Sequence, residues 1–485
     1  MLAALQSFDV IVVGGGPAGC VLAARLSEDV DRTVCLIEAG PDYGPRSDRR
    51  WPPELLDPSA IPESHDWSDA DGSLPWARVI GGCSAHNACA VTRGAAAEYD
   101  AWQQFGGPAW TWATIGPCLR RARETLGART RESAGIGAWH AAVVEAAAEA
   151  GLARLEDVDV EYAGVGIAAT NVVDGVRHNA AFAYLDRVRD RPNLTVRGDT
   201  LVDRVAFDRA GRATGVVVAG GRTVLGDCVV LAAGAYGSPA VLLRSGVGPG
   251  DQLQAVGVRP FHDLPGVGAG LAEHCRAGIG FALRDDTVVA LRAETADRAI
   301  LAQAVAKWAS SRADVGTWDV HLLAILPPDR ATGRITTGLV APRSRGRVRL
   351  RSPDPARLPC VEHGFLSDEG GHDIAVLTEG VAFVRALAAT RALSTVATGE
   401  VDPGPGADTT AHVRASVASY YHPTGTCRLG RSDDPFAVVD SRAAVHGLED
   451  LYVGDASIIP EPVRAGTHLT VLAVADHVAA QVSRS

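Results

Sequence analysis

The segment FDVIVVGGGPAG at residues 8–19 constrains this chain more than any other. Phe8 to Val13 is an apolar, β-branched run of the kind that forms a parallel strand buried on both faces. Gly14, Gly16 and Gly19 follow at once in G-x-G-x-x-G register. A helical stretch from Cys20 to Leu26 comes next, with Ala23 and Ala24 small enough to pack on a sheet. TVCLIEAG then reads as a second strand ending at Glu38. This order of strand, glycine turn, helix and acid-terminated strand is a dinucleotide-binding pattern. Glycines let the backbone approach a pyrophosphate, the helix N-terminus offers unpaired N–H groups, and the carboxylate binds the adenosine ribose hydroxyls. The motif alone does not choose between FAD and NAD.

At 485 residues and 47% hydrophobic, the chain can bury a large core and is expected to fold as two domains. A net charge of −11 without a compensating basic block speaks against nucleic acid and anionic membrane surfaces as partners. The nine cysteines (Cys20, Cys35, Cys83, Cys89, Cys118, Cys228, Cys275, Cys360, Cys427) contain no C-x-x-C pair. That argues against a zinc cluster or a disulfide framework and fits a reducing compartment, with no metal site expected. MLAALQSFD lacks a charged n-region, and no apolar run approaches a membrane span, so a soluble, cytoplasmic protein is expected. Fifty-three glycines and 27 prolines suit a loop-rich α/β enzyme better than a helical bundle.

Two further stretches present histidines. After an aperiodic, proline- and aspartate-rich excursion from Asp42 to Pro75, the sequence runs ARVIGGCSAHNACAVTRG. Gly81 and Gly82 allow close backbone approach to a ligand, and Cys83, Ser84 and Ala85 are small. His86 and Asn87 are therefore the first bulky polar groups this loop can present. Near the other end, SYYHPTGTC (Ser419 to Cys427) places His422 where a regular element stops, as a strand end or the close of a helix. The residue before Pro423 is pushed out of helical geometry. THLTVLAVADHVA begins a helix at Gly466 or Thr467, so His468 falls in its first turn. A helix N-terminus favours neutral imidazole, the form that can accept an alcohol proton.

Between these, Trp102, Trp110 and Trp112 are expected to pack between domains, and His140 to Ala150 reads as an alanine-rich amphipathic helix. Asn193 to Phe207 reads as two strands around a turn, with further strands up to Gly234. RVRLRSPD (Arg347 to Asp354) and CVEHGFLSD (Cys360 to Asp368) read as strands of a substrate-domain sheet. His363 and His372 lie in turn-like contexts and read as surface residues. Gly454 and Asp455 in YVGDAS fit a strand end whose backbone and carboxylate reach a pyrophosphate or ribityl chain, which favours FAD over NAD.

Seven blocks in one order resemble the glucose–methanol–choline (GMC) oxidoreductases. They are the N-terminal fingerprint, the GGCSAHN loop, Val229–Gly248, Leu264–His274, Arg343–Ser352, Tyr420–Gly430 and Leu451–Ala479. The loop looks most like that of the choline oxidases. The resemblance implies an α/β fold in which a Rossmann-like FAD/NAD(P)-binding domain (1–135, 193–276 and 436–485) is joined to an α+β substrate domain (136–192 and 277–435) with an antiparallel sheet. It implies FAD as cofactor, either attached covalently through His86 to the flavin 8α-methyl or bound non-covalently with His86 as a neighbour of the flavin. Gly82 and Asn87 would lie at the flavin, Val202 beside the adenine and Gly234 near the pyrophosphate. His422 matches the histidine of the family's H-P-x-G-T motif. His468 matches a position held by asparagine or histidine; choline oxidases have asparagine, so the pair looks more like that of the aryl-alcohol oxidases.

The reaction implied is oxidation of a primary alcohol, with His422 taking the hydroxyl proton as hydride moves to flavin N5. Ala88 stands where choline oxidases carry a serine hydroxyl. Trp51 and Glu294 are the positions that would hold a trimethylammonium group as the family's aromatics and glutamate do. The same scaffold also carries flavin-containing hydroxynitrile lyases, which are not redox enzymes, and dehydrogenases that pass electrons to acceptors other than O2, some in secondary metabolism. A homodimer is compatible with the resemblance.

Overall fold

The computed structural model describes residues 7–132, 135–294 and 300–483; the N-terminal MLAALQ lies outside the described residues. A seven-stranded sheet organises the first core. Its order is Leu194–Arg197, Val34–Ile37, Ser7–Val13, Thr223–Leu231, Ala213–Val218, Val202–Phe207. Leu451–Val453 joins the C-terminal half of Thr223–Leu231, pairing Val229 with Leu451 and Leu231 with Val453. The first four strands and Leu451–Val453 are parallel, and the two remaining strands are added antiparallel. Residues 10–13 and Val34–Ile37 are all buried, as expected of parallel strands covered on both faces.

Two helices cover the parallel strands. Pro17–Leu26 starts with Pro17, whose fixed φ suits the first helical position, and buries eight of its ten residues. Thr467–Val482 is mostly apolar and buried along nearly its whole length. Tyr99, Trp102 and Trp110 pack in this first core, with Trp102 Nε1 donating to Glu461 O at 3.1 Å and Trp110 Nε1 to Ser441 O at 2.8 Å. Trp110 also meets the His477 ring edge-on at 4.8 Å. The tryptophans thus tie the C-terminal helix to its own core and do not fill a gap between domains.

An eight-stranded sheet carries the second core. Its central strands, Cys275–Leu283, Thr332–Leu339, Val320–Ile325, Ala302–Trp308 and Gly164–Ile167, are antiparallel throughout. One face packs on the helices Ala138–Glu149 and His372–Leu387 through Trp139, Val143, Val376, Val381 and Val384. The other face looks towards the first core. Residues 180–183, Leu185 and Val188, placed by the resemblance in the substrate domain, pack into the first core.

Several local expectations need correction. Gly346–Arg349 and Cys360–Glu362 form a separate three-stranded sheet with Ala269–Leu271, because Val348 packs against Tyr236 and Leu271 and not into the second core. His372 is buried at the start of its helix, where Asp373 Oδ1 lies 3.3 Å from Nδ1. His363 is half-buried and meets the Tyr236 hydroxyl at 2.9 Å. The helix before His422 already stops at Ser416; His422 follows the short strand Ala418–Ser419, which pairs with Cys275 and Arg276.

Candidate active site

A continuous cavity of about 740 Å³ lies between the two cores, lined at one end by Gly14, Gly16, Glu38 and Val202 and at the other by His422 and His468. The glycines shape the first end by necessity. Gly14 has φ +102°, and a Cβ there would sit 2.6 Å from Ala232 O. A Cβ on Gly19 would collide with Gly14 O, so Gly19 closes the turn without lining the cavity. Gly82 has φ +51° and would press a Cβ to 2.5 Å from the Gly16 Cα. The histidine loop therefore packs directly on the first glycine turn, an approach cemented by Gly81 N donating to Gly15 O at 2.7 Å. The helix at Pro17 has no side-chain cap, leaving its first N–H groups directed at the cavity's end.

Two acids serve this end. Glu38 is buried and accepts from Gly15 N at 2.7 Å and Gly40 N at 2.8 Å; burial pushes its carboxyl up to about 7. Asp455 is buried and fully engaged. Oδ2 accepts from Gly234 N at 2.8 Å and Ser238 Oγ at 2.5 Å, and Oδ1 from Ser457 N and Oγ at 2.8 and 2.6 Å. Its part is to hold the Gly234 turn against the cavity. Gly454 does not reach the cavity: its Cα faces Leu22 and Val478, and its N–H continues the sheet to Leu231 O at 2.8 Å.

At the other end, two imidazoles from far-apart segments meet the cavity. Asn87 Nδ2 and His468 Nδ1 are 3.2 Å apart, and Asn87 Oδ1 accepts from Cys89 N at 3.0 Å. That second bond sets the amide with its NH2 towards His468, so Nδ1 is an acceptor and neutral His468 carries its proton on Nε2. His468 Nε2 has no protein partner among the described residues. His422 Nδ1 lies 2.9 Å from His274 Nδ1, which leaves His422 Nε2 on the cavity side. Glu273 Oε1 accepts from His422 N at 2.7 Å and anchors the backbone there; burial pushes its carboxyl up to about 8. Both cavity imidazoles open on the cavity and are packed in protein elsewhere, and this burial pulls each down to about 4. The helix start at Gly466 puts His468 in its first turn, but burial is the cause of the shift.

His86 sits on the wall beside them. Its Nδ1 is 3.2 Å from Asp66 Oδ1, and its buried Nε2 has no protein partner among the described residues. Burial first, then the nearby Arg177 guanidinium, pulls the ring down to about 4. Arg177 is fully buried and donates to Leu55 O at 3.0 Å, Ala85 O at 2.8 Å and Asp57 O at 2.6 Å, tying the histidine loop to the 54–60 segment. Tyr421, next to His422, has φ +68°, a left-handed conformation costing about 1–2 kcal/mol outside glycine. It lies at the cavity, where its ring faces Arg276.

These residues fit FAD. Close-packed glycines and a bare helix N-terminus suit a pyrophosphate, and two buried imidazole nitrogens without protein partners face the space at the far end. Asn87, Ala88 and Gly234 line the same cavity. Two expected pocket residues lie elsewhere. Trp51 is buried between Tyr43 and Phe182, with Nε1 donating to Gly44 O at 2.8 Å. Glu294 accepts from Ala138 N at 3.2 Å and caps that helix in place of a side-chain N-cap. Sequence reasoning passed over His274, although it ends a recognised block. It also passed over His321 and Arg276, whose only signal is alternation along strands. Among the described residues no cluster of His, Cys, Asp and Glu could hold a metal, and no helix is long and apolar enough to cross a membrane.

The GMC oxidoreductase N-terminal model matches residues 8–276 and the C-terminal model residues 342–475. The chain is 32% identical to mitochondrial choline dehydrogenase of Mus musculus, over 98% of this chain and 89% of that one. It is 29% identical to choline oxidase of Arthrobacter globiformis, over 98% and 94%. Among solved structures, pyridoxine 4-oxidase from Mesorbium loti superposes with a TM-score of 0.87 at 29% identity, covering 99% of both chains. Formate oxidase shares the fold at 23% identity, with a TM-score of 0.85 over 99% and 98% of the two chains. Fingerprint, histidine loop and the imidazoles of His422 and His468 thus line one cavity of a chain that belongs to the GMC oxidoreductase family, FAD enzymes that oxidise CH–OH donors.

Proposed function

We propose that this chain oxidises a primary alcohol to the aldehyde, with His422 as the base and His468 as the hydrogen-bond donor to the reacting oxygen. Bound FAD supplies the hydride acceptor. The observation that carries the division of labour is the orientation of Asn87, which makes His468 Nδ1 an acceptor and Nε2–H a donor towards the cavity. His422 takes the complementary role when its Nδ1–H donates to His274 Nδ1, because its Nε2 then holds a free lone pair. An alcohol oxygen between the two rings receives a hydrogen bond from His468 and gives its proton to His422 Nε2. Burial supports both roles by keeping each ring neutral at pH 7. Orientation of the carbinol C–H follows from fixing the oxygen at two points.

His86 is assigned as the covalent anchor. Burial keeps the ring neutral at pH 7. A proton on the Nδ1 that faces Asp66 Oδ1 at 3.2 Å leaves the cavity-facing Nε2, which has no protein partner among the described residues, with the lone pair a nucleophile needs. The test is anaerobic mixing of purified holoprotein with a panel of primary alcohols, followed by acid precipitation. The expected results are bleaching of the flavin absorbance by at least one alcohol and yellow colour remaining with the precipitate. A flavin that stays oxidised with every alcohol would sink the oxidation, and a colourless precipitate would sink the anchor.

A further inference from the structure

We infer that the alcohol this site accepts carries a carboxylate at the end away from its hydroxyl, bound by Arg276. This rests on the proposed oxidation and adds the substrate's charge. The inner face of the eight-stranded sheet forms one wall of the cavity that His86 also lines. Its lining residues are Arg276, Val305, His321, Leu323, Ile325, Arg334 and Thr336. In cross-strand register His321 and Arg276 both pair with Gly338, Leu323 with Thr336 and Ile325 with Arg334. The wall is thus largely apolar in its middle, where Thr336 adds one hydroxyl, with a histidine and two guanidinium groups around it. Among the described residues, no carboxylate of this sheet lines the cavity.

Arg276 is the cation left available. Arg334 is paired with Asp402. Arg276 donates from Nε to Ser419 O at 3.0 Å and from Nη2 to the Tyr421 hydroxyl at 3.4 Å, and its guanidinium lies 5.6 Å from the Tyr421 ring centroid. These partners orient the group and leave its charge uncompensated. Its position follows from strand geometry: His274, which touches His422, is two residues before Arg276, so both side chains leave the same face about 7 Å apart. Gly278 comes next on that face, and a Cβ there would meet the Arg334 guanidinium at 3.3 Å. The acids that do line the cavity are placed otherwise. Glu38 and Asp455 are held by backbone N–H groups at the nucleotide end. Glu63 is exposed, and Asp66 stands beside His86, both outside the sheet wall. With Glu294 capping a helix, nothing described on the sheet wall compensates a quaternary ammonium, whereas a planar carboxylate suits the guanidinium fork.

The probes are 4-(hydroxymethyl)benzoate, benzyl alcohol and 4-(hydroxymethyl)benzyltrimethylammonium, mixed anaerobically with holoprotein and compared by flavin reduction rate over dissociation constant. One charge-assisted contact corresponds to a preference of roughly 10- to 100-fold for the benzoate over benzyl alcohol, with the cation worst. Arg276→Ala should bring the benzoate-to-benzyl-alcohol ratio close to one, and Arg276→Lys should leave it intermediate. A cation used as well as the benzoate overturns the inference. So does a preference that survives in Arg276→Ala. Oxidised-flavin difference spectra with benzoate and benzyltrimethylammonium as dead-end ligands read the subsite without turnover. If no alcohol bleaches the flavin, the oxidation reading fails by itself. Benzoate binding that is tighter than the cation and lost in Arg276→Ala would then still support the anion subsite, and equal binding would overturn it.

Discussion

Replacing Asn87 by aspartate exchanges an amide nitrogen for an oxygen and inverts what His468 offers its ligand. In the native site the Asn87 amide donates to Nδ1 at 3.2 Å, His468 is pulled down to about 4 by burial, and Nε2–H faces the cavity. A carboxylate at that distance favours the imidazolium and raises the ring by roughly 1–3 units, each unit being 1.36 kcal/mol, so titration moves to about pH 5–7. Below that range His468 is charged and donates from both nitrogens. Above it the neutral ring keeps its proton on Nδ1, donated to the introduced carboxylate, and turns a bare lone pair to the substrate. Losing one donor to the developing oxyanion costs about 10²–10³ in rate, or roughly 3–4 kcal/mol. Asn87→Asp should therefore show an anaerobic flavin-reduction rate that falls with rising pH between about 5 and 8, where the native rate is flat. Asn87→Ala, which leaves the tautomer free, should lose less than about tenfold and gain no new limb. An Asn87→Asp profile parallel to the native one would refute the tautomer assignment.

His422→Ala should retain its flavin and lower reduction by alcohols about 10²–10⁴-fold, measured by rapid mixing with flavin content fixed from absorbance. His86→Ala should release all flavin into the supernatant on acid precipitation while the folded protein stays yellow, because the glycine cradle and Glu38 remain. Buried His140, whose Nε2 lies 3.1 Å from Ile300 O, is pulled down to about 4 from 6.5. The unfolded chain then binds a proton that the folded chain rejects, so this contribution is present above pH 6.5 and lost as pH falls towards 4, by up to about 3 kcal/mol. His140→Leu should accordingly flatten the acid side of the stability profile in urea denaturation, and an unchanged slope would contradict the assignment.

What was legible in the sequence was what local backbone chemistry dictates. Gly14, Gly16, Gly19 and Glu38 stand where the spacing puts them, because a strand–turn–helix unit is fixed within about thirty residues of chain. His468 in a first helical turn was equally local. That His422 and His468 share a cavity with the first glycines came from resemblance, since their approach is set by sheets closing over hundreds of residues. The errors have the same origin. Trp51 was enclosed by Tyr43 and Phe182 and Glu294 was recruited by a distant helix start, both long-range partners invisible to periodicity. Arg276 was missed because an arginine among Cys275, Ala277 and Ile279 signals alternation but not what the polar face confronts.

The pairing of Leu451–Val453 with Thr223–Leu231 has a consequence for biosynthesis. The nucleotide half cannot be finished while the chain is emerging, because its final parallel strand and the helix over it are translated after the whole antiparallel sheet. A nascent chain stalled before residue 450 exposes an unsatisfied edge beside residues 229–231, a template for intermolecular strand addition. Chains truncated before residue 450 should accordingly aggregate through that edge, whereas full-length chains, in which Leu451–Val453 covers it, should not.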